Sequence, residues 1–356
     1  MDDFKSHFAS IDIIGSLGVK VPSEARKLCK GIDEVVKFCA KWQNDRNLFP
    51  YEIDGMVIKL DNKNWQDRIG FTAHHPRWAI AYKFQAKQGA TRLIDVEYQI
   101  GKIGSVTPVG KLEPVALAGV TISSVSLHNE EFIESRDLRL GDMVVVERAG
   151  DVIPYIVKAL DDVRTGSEIP IKFPTHCPSC NSELVKLETE AAWRCINPDC
   201  PAQNLQKLIF FASKDAMDID GFGKSIMEKF FELGWVKSYP DIYRLTEEQI
   251  SGLEGFGARS AEKLIAAIKV SKANPIQRFL HALSIHHVGK KVSKLLAEEI
   301  ENVLDLASWT KEHFEGIKDI GPVVAQNVIA YFGDESNVNM IKEMEELGVN
   351  IAATAK

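Results

Sequence analysis

Two cysteine pairs constrain this chain more than any other feature. Cys177-Pro-Ser-Cys180 and Cys195-Ile-Asn-Pro-Asp-Cys200 spell C-x2-C, fourteen intervening residues and C-x4-C. Each pair can sit on one tight turn, and two such turns present four thiolates as a tetrahedral set, the arrangement that holds a structural Zn2+. The second pair is wider than the usual two-residue knuckle, and Asn197 and Pro198 are turn formers that accommodate the longer loop. Four sulfur ligands leave no open coordination position, which argues against a catalytic zinc. The other two cysteines, Cys29 and Cys39, lie far away. The pattern is that of a metal site in a reducing compartment rather than a disulfide framework.

The 356 residues are 45% hydrophobic, enough for two or three domain cores at about 150 residues each. No apolar run approaches the roughly 18–20 residues of a membrane span, and the opening MDDFKSHF has neither the basic nor the apolar stretch of a leader. A cytoplasmic protein with no membrane partner is expected. Lys and Arg number 43 against 50 Asp and Glu, a net charge of −7. That excludes the broad basic field that gives bulk nucleic-acid affinity, so any DNA contact must be local.

Such a local device recurs in the last part of the chain. The segments 217–223 (MDIDGFG), 253–257 (LEGFG), 285–289 (IHHVG) and 317–321 (IKDIG) each end in a glycine before a helical pattern, and those glycines are 34, 32 and 32 residues apart. This is an internal repeat. Met227, Ala261, Ser293 and Ala325 follow four residues later, and in three of the four units the small residue allows close helix packing. A Gly-apolar-Gly turn between helices aims backbone N–H groups outward at a helix N-terminus, where the dipole favours an anion. Gly221, Gly223, Gly255 and Gly257, with Arg259, are therefore candidate DNA-phosphate contacts, and Gly257 is expected to need the φ > 0 conformation. Lys224, Lys290 and Lys291 add charge nearby. His287 and Asp319 replace the first glycine in units three and four, which are expected to pack more than grip.

Further upstream, Ile32 to Trp42 has helical spacing, while Met56 to Leu60 and Trp78 to Phe84 are expected to be extended. In the string PRWAIAYKF (76–84), alternation puts Ala79, Ala81 and Lys83 on one face and Trp78, Ile80, Tyr82 and Phe84 on the other, the expected core face. Val57 and Lys59 of EIDGMVIK (52–59) share a face in the same way. Small side chains beside a lone lysine leave room for a phosphate-bearing ligand. Asp54 can join Lys59 only if it precedes the regular strand. Residues 91–165, with RLIDVEYQIGKIG (92–104) and GDMVVVERAGDVIPYIVKAL (141–160), alternate as short strands broken by Gly and Pro, which predicts a small barrel of the OB type.

In that order, EIDGMVIK, PRWAIAYKF, a barrel with LHN (127–129) and RAGDVIP (148–154), four cysteines and four hairpin turns, the chain resembles the bacterial NAD-dependent DNA ligases over nearly its whole length. The resemblance implies a multidomain α+β architecture. It comprises the C-terminal part of a nucleotidyltransferase (adenylation) domain at 1–90, an OB-fold at 91–165, a four-cysteine zinc finger at 166–205 and a helical helix-hairpin-helix domain at 206–356. It implies nick sealing in DNA replication and repair, Zn2+ in this chain, and NAD and Mg2+ for the complete ligase. Lys59 and Lys83 would be nucleotide contacts and Asp54 a carboxylate of the catalytic metal site.

One departure bears on activity. The family's nucleophile is the lysine of a K-x-D-G motif, and the two Asp-Gly pairs here carry Glu52 and Asp218 at that position. The nicotinamide-nucleotide-binding region, most of the adenylation domain and a BRCT domain are also expected to be missing, as in a shortened or split ligase. Two functions are therefore weighed: a ligase component that works with a separate N-terminal part on nicked or plain duplex, and a non-enzymatic DNA-structure-binding module.

Overall fold

The computed structural model describes residues 5–353 apart from 73–74, 118, 150–152 and 187–189. It divides into two compact units, one of Met1–Glu97, Val109–His128 and Phe132–Ile171, the other of Tyr98–Pro108, Asn129–Glu131 and Lys172–Lys356. No helix of the described residues is long and apolar enough to cross a membrane.

The first unit begins with α1 (His7–Ser16), α2 (Ile32–Asp45), β1 (Gly55–Lys59), α3 (Lys63–Ile69) and β2 (Ala79–Lys83). Ser6 and Asn62 start α1 and α3 by accepting the amides of Ala9 and Trp65. β1 and β2 pair antiparallel, with Gly55 opposite Lys83, Val57 opposite Ala81 and Lys59 opposite Ala79. The expected core face of β2 is not one: Ile80 is 66% exposed and Tyr82 36%, and only Phe84 is buried. Two strands alone give too few neighbours to cover a sheet face. Tyr82 instead reaches Gln43 of α2 at 3.0 Å and meets Phe84 edge-on.

The barrel is made by β3 (Gln88–Ile100), β4 (Val106–Leu117), β5 (Val120–Ser126), β7 (Met143–Ala149) and β8 (Ile153–Ala159), in the order β5-β4-β3-β7-β8. α4 (Glu130–Ser135) and the two-residue strand β6 (Arg139–Leu140), paired with β9 (Ile169–Pro170), close one end. Register shifts at Lys111/Val115 and Val145/Val146 bend the sheet, and its inward positions, among them Leu93, Leu112, Val144, Val146 and Ile156, form one core. This is the expected OB-fold. Of the RAGDVIP string, Gly150, Asp151 and Val152 lie outside the described residues.

Asp142 is 1% exposed at the turn into β7. Its carboxylate accepts two bonds from the Arg164 guanidinium, at 2.7 and 2.9 Å, and one from the Arg139 amide at 2.8 Å. Its own carbonyl accepts the Leu93 amide. The pair thus clamps the chain leaving the barrel onto the turn that feeds its central strands, with every charge paired as burial demands.

In the second unit, β10 (Leu184–Lys186) and β11 (Trp193–Cys195) form the cysteine-bearing hairpin. Its small core draws in Tyr98, Ile100 and Val106 from the ends of β3 and β4. Helices follow: α5 (Pro201–Ala212), α6 (Lys224–Glu232), α7 (Tyr239–Arg244), α8 (Glu247–Ser251), α9 (Ala258–Ser271), α10 (Ile276–Ala282), α11 (Lys290–Glu299), α12 (Lys311–Glu315), α13 (Pro322–Phe332) and α14 (Glu335–Glu346). One continuous apolar cluster from Leu208 to Ile351 unites them.

Removing one partner of the Asp142–Arg164 clamp strands a buried charge, so Arg164→Met is expected to cost about 3–5 kcal/mol. The double variant Asp142→Leu/Arg164→Met is expected to recover much of that loss in denaturant titrations of the OB-fold transition. Simple additivity of the two single changes would show that the groups are not coupled.

Candidate functional site

The four cysteine sulfurs lie within 4.8 Å of one another, with Cys177 and Cys200 3.9 Å apart and Cys180 and Cys195 3.5 Å apart. These are far beyond a disulfide bond and close to the ~3.8 Å edge of a tetrahedron with Zn–S bonds of about 2.3 Å. Each pair is shaped by its backbone. Asn181, in the left-handed region at φ 59°, returns its amide to the Cys177 carbonyl, and the Asn197 side chain accepts the Asp199 amide. Gln203, 5% exposed, donates to the carbonyls of Cys195 and Asn197, and Ser179 accepts the Ala202 amide, tying the two turns together. Burial pushes the Cys195 thiol up to about 12 and raises Cys177 as well, while the Ser182 hydroxyl pulls Cys180 down to about 6. Four thiols held this close cannot all become thiolates unless a cation offsets their charge, so the donor set fits Zn2+.

The four glycine turns share one backbone geometry. Their first positions, Gly221, Gly255, His287 and Asp319, all have positive φ, between 63° and 88°. Each is followed by an apolar plug, Phe222, Phe256, Val288 or Ile320, whose amide bonds back three residues to Ile219, Leu253, Ile285 or Ile317. Gly223, Gly257, Gly289 and Gly321 then stand at the helix starts without a side-chain cap, whereas α1, α3, α8 and α14 are capped by Ser, Asn, Thr and Asp. The φ > 0 requirement belongs to Gly255, since Gly257 is extended at φ −99°; what Gly257 supplies is open space, with nothing within 4 Å of where a Cβ would be. Met227, Ala261, Ser293 and Ala325 are all buried, and their amides bond to the four cap glycines. Arg259 and Lys224 are exposed beside turns two and one. Lys291 pairs with Asp319 at 2.9 Å, and Lys290 pairs with Asp215.

On β1 and β2, Lys59 and Lys83 share one face with Val57 and Ala81 between them, and that face is open. Asp54 precedes β1, as its joint use requires, and its carboxylate pairs with the Lys83 ammonium. Lys59 lies 3.3 Å from His7 Nε2. A cavity of about 840 Å³ opens beside β1, lined by Phe38, Trp42, Phe49, Met56, Ile58 and Lys59 among others.

The residues that seat the finger have no motif of their own. Arg194 on β11 donates to the Ile103 carbonyl at 3.1 Å, pairs with Glu190 and donates to His286 Nε2 at 2.9 Å, beside the third turn. A guanidinium cannot accept, so His286 is neutral there, and burial together with Arg194 lowers its pKa. A Cβ on Gly104, at φ +83°, would collide with the Cys195 carbonyl oxygen. Glycines in a strand-to-strand turn were the only sequence signal of that approach.

A nucleotidyltransferase-type sheet, an OB-fold, a four-cysteine centre and tandem hairpins in one chain define a multidomain α+β protein of the DNA-ligase type. Sequence models of three NAD-dependent DNA ligase domains match: the adenylation domain at residues 1–87, the OB-fold domain at 90–168 and the C4 zinc finger domain at 176–202. A SAM-like helix-hairpin-helix tandem matches residues 213–269 and a helix-hairpin-helix motif 278–341. Over 96% of its length the chain is 53% identical to the DNA ligase of Persephonella marina, covering 48% of that protein. It is 48% identical to the Aquifex aeolicus DNA ligase over 99% of this chain and 49% of the relative. For the DNA ligase of Bacillus cereus strain AH187 the values are 46%, 97% and 52%. The chain belongs to the NAD-dependent DNA ligase family, and it spans about half the length of the curated relatives it matches.

Elemental analysis of the purified protein is expected to find one zinc per chain. Cys180→Ser, which removes one of four ligands, is expected to lower that content and to loosen the segment around residues 176–202 in hydrogen exchange. Full zinc retention in this variant would refute the four-thiolate site.

Proposed function

We propose that this chain serves in NAD-dependent sealing of nicks in duplex DNA, in replication and repair, as the part that grips the duplex and contacts the nucleotide. The observation that carries the reading is the common geometry of the four turns. Backbone amides at uncapped helix starts can meet phosphates without a net positive charge and without reading bases. Units one and two, with Gly221, Gly223, Gly255, Gly257 and Arg259, are the gripping pair. In unit four the Asp319 carboxylate stands where a phosphate would approach, and Lys291 is already committed to it.

On the nucleotide face, Lys59 and Lys83 hold phosphate charge and Asp54 offers a carboxylate to Mg2+, which in the complete ligase supplies charge neutralisation at the reacting phosphate. The Asp54–Lys83 pair is exposed, so its opening costs little, and Asp54 would be free to hold a metal ion and Lys83 a phosphate once it opens. With Glu52 and Asp218 at the positions of the K-x-D-G lysine, this chain presents no in-line amine from that motif. A separate N-terminal ligase part then supplies the nucleophile, and the cytoplasm keeps the cysteines reduced for zinc.

Incubated alone with adenylate-labelled NAD and Mg2+, the chain is expected to take up no label. Mixed with the N-terminal half of the Persephonella marina relative, label is expected on the added half and its loss is expected with Lys83→Ala; stoichiometric label on this chain alone would refute the contact role. Binding to nicked duplex is expected to be independent of sequence and only modestly salt-dependent. Gly255→Val, which forces a branched residue into the left-handed region, is expected to weaken it about tenfold, the worth of one or two hydrogen bonds to a phosphate. A sequence-selective footprint untouched by that substitution would contradict the grip.

A further inference from the structure

We propose that the cavity between the second cysteine turn and helices α5, α7, α13 and α14 binds a free phosphate monoester no larger than a mononucleotide. This site is lined by residues of the second unit alone, none of them on β1 or β2, and does not depend on the ligase reading.

The cavity measures about 550 Å³, and Asn204, Lys207, Lys237, Asn327 and Tyr331 are among the residues that line it. That volume lies within the range of small-ligand sites and suits a mononucleotide. Its polar groups are unspent. Among the described residues, the ammonium groups of Lys207 and Lys237 and the hydroxyl of Tyr331 have neither an ion pair nor a hydrogen-bond partner. Lys207 is only partly exposed, and burial lowers its pKa. Two acids, Asp199 and Asp334, also line the space. The Asp334 carboxylate is occupied in capping α14, accepting from the Ser336 amide at 2.9 Å and its hydroxyl at 2.7 Å.

A half-buried ammonium and a half-buried phenol without protein partners stay in reach of water, and a ligand that displaces that water can take up their hydrogen bonds. The negative charge of a zinc tetrathiolate attracts Lys207 from the side of Cys200, and Asp199 does the same. Neither engages the half-buried Tyr331 on α13, which lines the same cavity. An anion with several acceptor oxygens satisfies both groups at once: charge on Lys207, a hydrogen bond from Tyr331, and side-chain amides from Asn204 and Asn327 for the remaining oxygens.

The test is calorimetric titration of the full, zinc-loaded chain carrying Lys59→Ala and Lys83→Ala, with AMP and with inorganic phosphate as separate probes. A single saturable site is expected, weakened about tenfold or more by Lys207→Met and by Tyr331→Phe with zinc content unchanged. If Lys207→Met sheds zinc, Tyr331→Phe decides: a tenfold loss supports the site and an unchanged affinity overturns it. Displacement of AMP by a duplex would overturn the assignment to a free anion, because the pocket would then be taking a DNA phosphate. Absence of binding for both probes would overturn it as well. Since the β1–β2 lysines are already removed, none of these outcomes bears on the nucleotide face.

Discussion

Four sulfurs drawn to within a few ångströms of one another organise the middle of this molecule. The segment that carries them has two three-residue strands and almost no core of its own. It acquires one by borrowing Ile100 and Val106 from the ends of the barrel strands, by pressing Gly104 against the Cys195 carbonyl, and by starting α5 directly at Cys200. Thiolates this close repel each other, so without a cation each of these contacts works against electrostatics, and with one they act together. Metal binding and folding are linked for such a segment. The linkage reaches further than the finger, since Gln203, Arg194 and Lys207 are all placed by the turns that hold the ligands.

The hairpin array shows a second kind of economy, in which one backbone shape is repeated while the side chains vary. The spacing of its glycines was visible in the sequence because the turn needs a residue that enters the left-handed region and then a small helix-starting residue. Units three and four keep the same shape with His287 and Asp319, residue types that tolerate positive φ better than most. Sequence reasoning located the turns and misplaced the strain by two residues, on Gly257 rather than Gly255. The reason is that a Gly-x-Gly string does not say which glycine is there for its dihedral and which for its lack of a side chain.

What the sequence concealed is mostly long-range. The cysteine centre, the OB strands and the helical repeat were legible because each is written in local spacing, and the domains recognised for this family lie in the same order. The Asp142–Arg164 clamp joins residues 22 positions apart, and the Arg194–His286 contact joins residues 92 apart. No periodicity announces either. The core face expected for β2 failed for a different reason: alternation tells which residues share a face, but only the neighbours decide whether that face is covered. In a sheet of only two strands, Ile80 stays in solvent while Phe84, just past the strand's end, is buried.

Charge ties these observations into one argument about how an acidic chain can meet a polyanion. A net charge of −7 repels DNA at long range, so contact has to be made by groups that do not enter the count. Uncapped helix starts are such groups, being partial charges fixed by the backbone, and four of them lie on one repeated motif. Several formal cations nearest the turns are spoken for: Lys224 faces Glu228, Lys290 faces Asp215 and Lys291 faces Asp319, which among the described residues leaves Arg259 beside the second turn and Lys318 within the fourth. On the function proposed above, an interface of this composition would release few counterions and would follow the spacing of phosphates rather than the identity of bases.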